Sequence, residues 1–171
     1  MRRVLVAVSG LLLAEFLERT LSQIIWGDAE LDLLHVVDTR PLREFRFVAA
    51  VLPARSREAA ERARAMGALG AEAGQRMLEE AETLAASRLP SGTKIRRFQR
   101  TGIPEQEIIA AAHEISANLI VLGAAEEPPL QEPHGPAHAE QFPRRHLSPV
   151  VRFVVDHAPC DVLLLYAGTR G

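Results

Sequence analysis

Val4-Leu5-Val6-Ala7-Val8, followed at once by Ser9-Gly10, decides the fold class. Five apolar residues in a row before a turn signal fit a strand buried on both faces. Such strands belong to parallel sheets, whose crossovers cover both sides. Behind it, Leu12, Leu13, Phe16, Leu17, Leu21, Ile24 and Ile25 recur at helical spacing until Gly27-Asp28 stops the pattern. Leu31 to Val37 is a second strand, so the chain opens β-α-β.

The alternation continues to the end of the chain. A long helix is predicted from Ser56 to Arg88, with Ser56 as N-cap and Glu58 in the first turn. Ala59, Ala63, Met66, Ala73, Met77, Ala81 and Leu84 make its inward face. Gly67, Gly70 and Gly74 weaken it by about 1 kcal/mol each relative to Ala, and point to a bend or to close packing. Lys94 to Gln99 is a short, charged strand suited to a sheet edge. Thr101-Gly102-Ile103-Pro104-Glu105 turns into a helix that aims Ile108, Ala111, Ala112 and Ile115 inward. Asn118 leads into the strand Leu119-Ile120-Val121-Leu122, and Gly123 ends it. Val150, Val151, Val154 and Val155 form a last helical stripe, and Val162 to Tyr166 is the last strand. Five strands alternating with four helices predict a doubly wound α/β fold: a parallel sheet with right-handed crossovers and helices on both faces.

Two stretches stand outside this rhythm. Asp38 to Ser56 carries Phe45, Phe47, Val48, Val51 and Leu52 between Pro41 and Pro53. A flap over the core is preferred there to a partner or membrane-surface patch. The second is an insert at about 124–147. Pro128, Pro129, Pro133, Pro136 and Pro143 bar a regular helix or a central strand.

Composition narrows the classes. A length of 171 residues suits one domain spanning 1–171. With 47% hydrophobic residues and a net charge of -2, the chain is neither disordered nor basic enough to drive nucleic-acid binding. The single cysteine, Cys160, excludes an internal disulfide and fits a reducing compartment. No apolar run reaches the roughly 18 residues of a membrane span, and the one behind Arg3 is too short for a signal peptide. A cytoplasmic protein is expected.

Three segments taken together resemble the universal stress protein family. Val4 to Val8 is followed by Leu33-Leu34-His35-Val36-Val37. Thr101-Gly102-Ile103-Pro104 through Ala117-Asn118-Leu119-Ile120-Val121-Leu122-Gly123 is similar to the family's G-x-P-x-x-x-I … A-D-L-I-V-L-G. Val154-Val155-Asp156-His157-Ala158-Pro159-Cys160-Asp161-Val162-Leu163-Leu164 is similar to V-L-x-H-A-P-C-P-V-L-V-V. The resemblance implies an adenine nucleotide alpha hydrolase-like fold with strand order 3-2-1-4-5. Ligands then sit where that order reverses, outside the carboxyl ends of strands one and four. Ser9, Gly10, Gly123 and Ala124 should line this crevice, Val36 should flank it, and Ser148 and Val150 are the further residues to test for a ligand there.

The departures matter as much as the match. ATP-binding members of the family place an acid after strand one, where this chain has Ser9. They carry G-x-x-G after strand four and then G-S or G-T opening the last helix, because glycines let backbone N–H groups approach phosphates. Here Gly123 keeps the first glycine, Glu126 replaces the second, and Ser148-Pro149 replaces the G-S pair. Pro149 removes a donor, and Ser148-Pro149 reads most simply as an N-cap followed by an N1 proline. ATP binding in the usual mode is therefore not expected, and no cofactor is assigned. The alternative is a sensor for an adenine nucleotide or another small molecule in the same crevice. The resemblance also implies a homodimer through the last strand, whose Val162 to Tyr166 is apolar, and leaves room for an unidentified protein partner.

No catalytic constellation emerges. His134, His138 and His146 match no zinc spacing and read as a solvated loop. Cys160 reads as a structural cysteine rather than a thiol activated by His157. His157 suits a helix C-terminus, and His35 and His113 have no evident partners. Asp38, just after strand two, fits a turn as well as a ligand. The expectation is a non-enzymatic regulatory or interaction module.

Overall fold

The structure is a computed structural model, and it describes residues 2–9, 13–24, 26–41, 56–124 and 147–166. Gly10, the apolar stretch with Phe45 and Phe47, and the insert from residue 125 to 146 with its three histidines lie outside the described residues. The strands are β1 (Arg2–Ala7), β2 (Ala29–Asp38), β3 (Ile95–Gly102), β4 (Leu119–Ala124) and β5 (Asp161–Tyr166). The helices are α1 (Leu13–Gln23), α2 (Ser56–Arg88), α3 (Pro104–Glu114) and α4 (Pro149–His157). One parallel sheet runs β3-β2-β1-β4-β5, the order that the family resemblance implies.

Strand alternation divides the core. Val4, Val6, Val8, Leu31, Leu33 and Val121 pack with α1 and α2 on one face. Leu5, Leu34, Ile120 and Leu122 pack with Ile108 and Ala112 of α3 and Val151 and Val154 of α4 on the other. Each strand therefore sends successive side chains into different cores. This explains why the strands read as unbroken apolar runs.

β2 departs from that apolar reading. Glu30 and Asp32 are 2% and 0% exposed on the α3 and α4 face. Arg96, opposite Asp32 in the β3 register, donates two hydrogen bonds to its carboxylate at 2.6 and 2.7 Å. Glu30 lies 3.4–3.6 Å from Lys94, Arg3 and Arg96, and its Oε2 makes no hydrogen bond among the described residues. Buried carboxylates survive only with such partners. The same pairing runs along β3: Arg97 meets Glu79 and Glu82 of α2, and Arg100 meets Glu107 and Glu114 of α3. These cross-element pairs accompany a strand that reaches Gly102, beyond the predicted end at Gln99.

The lay of α2 corrects one expectation. The residues facing the sheet are Gly74, Leu78, Ala81 and Ala85, whereas Ala73 is exposed and Met66 is 51% exposed. The reason is steric. A Cβ at Gly74 would collide with the His35 ring, so the helix turns its glycine, not its larger residues, onto β2. Gln99 of β3 holds the same turn by donating to the Ala71 carbonyl at 2.7 Å. Of the residues predicted for that face, Ala81 is buried and Met77 and Leu84 are half-buried against the same core. The side chains of Ala59 and Ala63 lie outside the described ones.

Gly70 and Gly74 make a paired test. At Gly70 a methyl would meet Val37 at an ordinary 3.5 Å. Gly70→Ala should gain up to about 1 kcal/mol from helix propensity. Gly74→Ala should lose about 1–3 kcal/mol to overpacking against His35. Urea denaturation midpoints of the two variants should therefore move in opposite directions.

Candidate functional site

In a sheet ordered 3-2-1-4-5, the chain leaves β1 toward β2 but leaves β4 toward β5, so a crevice opens between the ends of β1 and β4. At the β1 side, Val8 is buried and its N–H donates to the Leu34 carbonyl at 2.8 Å, while Ser9 is exposed just beyond. His35 lies 3.1 Å through Nδ1 from the Val8 carbonyl. A carbonyl only accepts, so Nδ1 carries the hydrogen. His35 thus pins the exit of β1 from one side and rests on Gly74 of α2 from the other. Sequence spacing assigns it no partner, because both contacts depend on tertiary packing.

At the β4 side, Gly123 is exposed and Ala124 is buried. A methyl built on Gly123 would meet the Phe16 ring of α1 at 3.5 Å, an ordinary contact. Val36 and Val150 are half-buried against the α3 and α4 core. Ser148 is the N-cap of α4, its hydroxyl accepting from the Val151 N–H at 3.3 Å, and Pro149 is in the first turn. Gly123 faces α1, whereas Val36 and Val150 share the opposite core. The predicted residues are thus divided between the two faces at this end of the sheet.

The rim beside β2 holds a charged trio. Asp38 accepts from the Arg40 backbone N–H at 2.8 Å and from its guanidinium at 2.6–3.0 Å, and Glu105 of α3 lies 3.5 Å from the same guanidinium. Asp38 therefore has the turn role, closed by its i+2 partner. Burial pushes the Asp38 carboxyl up, but the side-chain and backbone hydrogen bonds and the charge of Arg40 outweigh it. Its pKa lies below the usual carboxylate range. The Asp38-x-Arg40 spacing was the available signal for Arg40; Glu105, 65 residues further on, had none in the sequence.

His157 and Cys160 form no reactive pair. His157 stacks on Phe153 at 4.0 Å and spends Nδ1 on the Phe153 carbonyl at 2.9 Å. Cys160 is half-buried, and burial, then the Asp161 charge, raise its thiol pKa. Among the described residues no three His, Cys, Asp or Glu side chains converge as a metal site would need. No described helix is long and apolar enough to cross a membrane.

The sheet order and the two helical layers define a doubly wound α/β protein of the adenine nucleotide alpha hydrolase-like fold. The family model described as the universal stress protein family matches residues 1–165, and the chain belongs to that family. Among solved structures it is similar to the universal stress protein UspA from Lactobacillus plantarum, with 24% identity and a TM-score of 0.58 over 96% of this chain and 97% of that one. A universal stress protein family protein from Arabidopsis thaliana with AMP bound matches at 18% identity and a TM-score of 0.58, over 99% and 94% of the two chains. A universal stress protein in complex with cAMP matches at 16% identity and a TM-score of 0.55, over 98% of both chains. A search of curated proteins finds no match.

Two measurements check the local chemistry. Because the pKa of Asp38 is lowered by folding, its contribution to stability is complete above about pH 4, the unfolded value, and fades as pH falls through the folded one. Asp38→Asn should cost no more than about 1 kcal/mol at pH 7. The difference from the parent chain should vanish in denaturant titrations at about pH 2. Cys160 should react with a disulfide reagent at pH 7 several-fold more slowly than free cysteine, and the gap should narrow as pH rises.

Proposed function

We propose that this chain is a non-catalytic regulatory module of the stress response, acting as a cytoplasmic homodimer, and that it does not hold ATP in the usual mode of its family. The observation that carries this reading is the start of α4. A phosphate-binding helix N-terminus offers free backbone N–H groups and a hydroxyl. Here the Ser148 hydroxyl accepts from the Val151 N–H, and Pro149 brings no N–H. Ser9 supplies no carboxylate after β1, and Glu126, beyond the described residues, adds negative charge to the segment after β4. The residues present do not fit the triphosphate.

The two sheet edges support the dimer. The arginines of β3 are engaged by acids from β2, α2 and α3, a charged edge that discourages pairing. β5 at the other edge is Asp-Val-Leu-Leu-Leu-Tyr, with Val162, Leu163 and Leu164 half-buried. A two-fold contact there would cover them.

A second reading is a sensor of an adenine nucleotide in the crevice, with contacts arranged differently from the ATP mode. Gly123 favours it: the space beside α1 admits a methyl, so packing against Phe16 does not demand glycine. Close approach of a ligand to the backbone would. The similar structures with AMP and cAMP supply the ligand class.

Isothermal titration on nucleotide-free protein separates the readings. ATP with magnesium is expected to give no saturable heat, and ATP at millimolar concentration no thermal shift. Saturable ATP binding overturns the proposal. Saturable AMP or cAMP binding, with stabilisation of about 2.7 kcal/mol at 100 times the dissociation constant, moves the sensor reading to the front.

A further inference from the structure

α2 is much longer than the sheet it covers. Its 33 residues span about 50 Å at 1.5 Å each, against about 20 Å for a six-residue strand. Among its described side chains, none before Gly74 is buried. The amino-terminal half therefore overhangs the carboxyl ends of the strands, and among its charged residues runs an apolar stripe. Met66 is 51% and Leu69 is 64% exposed, and both are large apolar residues. With Ala73 and Met77 they are spaced by three, four and four residues, which puts all four on one helical face.

That face runs into a groove. Between α1 and the middle of α2 lies an open cleft of about 600 Å³, with Leu13, Ala14, Ala73 and Met77 as its apolar lining and Glu15 and Glu80 at its rim. Neither acid has an ion-pair partner among the described residues, while Arg76 beside them is taken by Glu72. Further up the same face stands exposed Arg62, also without a partner among the described residues. One chain thus carries an apolar ridge with a cation at one end and an apolar groove with carboxylates at the other, none of these charges paired among the described residues.

We infer that this α1–α2 surface is a self-association site, separate from the β5 edge and occupied by a second copy of this chain. Complementarity about a two-fold axis identifies the occupant. An antiparallel crossing of two α2 helices near residue 71 sets position 62 opposite 80 and position 69 opposite 73. Met66 and Leu69 of each copy then enter the groove of the other, over Ala73 and Met77. Arg62 of each copy meets Glu80 of the other, with Glu15 nearby. The contact is isologous, so two ridges and two grooves are satisfied at once. Burial of the apolar ridge drives it, and the charge pairs fix its register. Combined with a β5 dimer, this second contact would build assemblies larger than a dimer.

Sedimentation velocity across a concentration series tests the inference. Arg62→Glu and Glu80→Arg should each weaken association by about tenfold or more, since each sets like charges face to face. Leu69→Asp should do the same by placing a carboxylate in the groove. All three residues lie at the surface, so far-UV circular dichroism and melting temperature should hold. The decisive arm mixes the two charge variants in equal amounts. The Arg62→Glu copy is acidic at both positions 62 and 80, and the Glu80→Arg copy is basic at both. Opposite charges then face each other at both ends of the contact, and association should recover to the parent level. Recovery on mixing is not expected if the substitutions merely perturb the fold. These variants leave β5 untouched. A dimer that persists unweakened in Arg62→Glu, Glu80→Arg and Leu69→Asp overturns the α2 surface without touching the β5 reading. Weakening that mixing fails to repair overturns the antiparallel register.

Discussion

Helix α2 meets the sheet through a residue with no side chain. Gly74 lies directly on the His35 ring, closer than any Cβ could come, and that approach sets where the helix sits. It fixes which turns are buried, from Gly74 to Ala85, and so which turns stand clear of the sheet. His35, pressed from that side, gives its Nδ1 hydrogen to the Val8 carbonyl at the mouth of the crevice. One close contact therefore ties the position of a 33-residue helix to the exit of the central strand.

Charge organises what hydrophobic burial leaves undecided. Both faces of β1 are apolar, and burial alone would tolerate several strand neighbours. Asp32 and Glu30 do not: their carboxylates are buried and need cations, and Arg96 and Lys94, at the start of β3 and just before it, supply them alongside Arg3 of β1. A strand without arginine in that register would leave Asp32 uncompensated, a penalty of several kcal/mol. The ion cluster thus favours β3 over any other strand as the neighbour of β2.

Element type and order were legible because the strands are buried on both faces and the helices carry regular stripes. The span of α2 matches its helical pattern, although Ser56, read as the N-cap, is its first helical residue, and the Ser148 N-cap followed from a local rule that the structure obeys. The inward face of α2 did not. A stripe of Ala and Met looked more core-like than one of Gly, and only the His35 ring makes glycine the better fit. Glu30, Asp32, His35 and Arg40 were missed or left without partners for a related reason. Their partners come from other strands or helices, or from register, and sequence spacing carries no record of either. Of the crevice residues, Ser148 was read correctly as a cap from its neighbour Pro149, while the separation of Gly123 from Val36 and Val150 across the sheet required the strand alternation to be seen.

The placement of β1 has a consequence for the growing chain. β1 is synthesised first and sits in the middle of the finished sheet, paired on one side with β2 and on the other with β4. Val4 finds Leu31 27 residues later, but Leu119 only 115 residues later. At roughly 5–20 residues per second, one edge of this central strand stays open during synthesis for about 6–23 s. Of the three interior strands, β1 waits longest for its second neighbour. Until β4 arrives, a row of β1 backbone N–H and C=O groups has no strand to pair with.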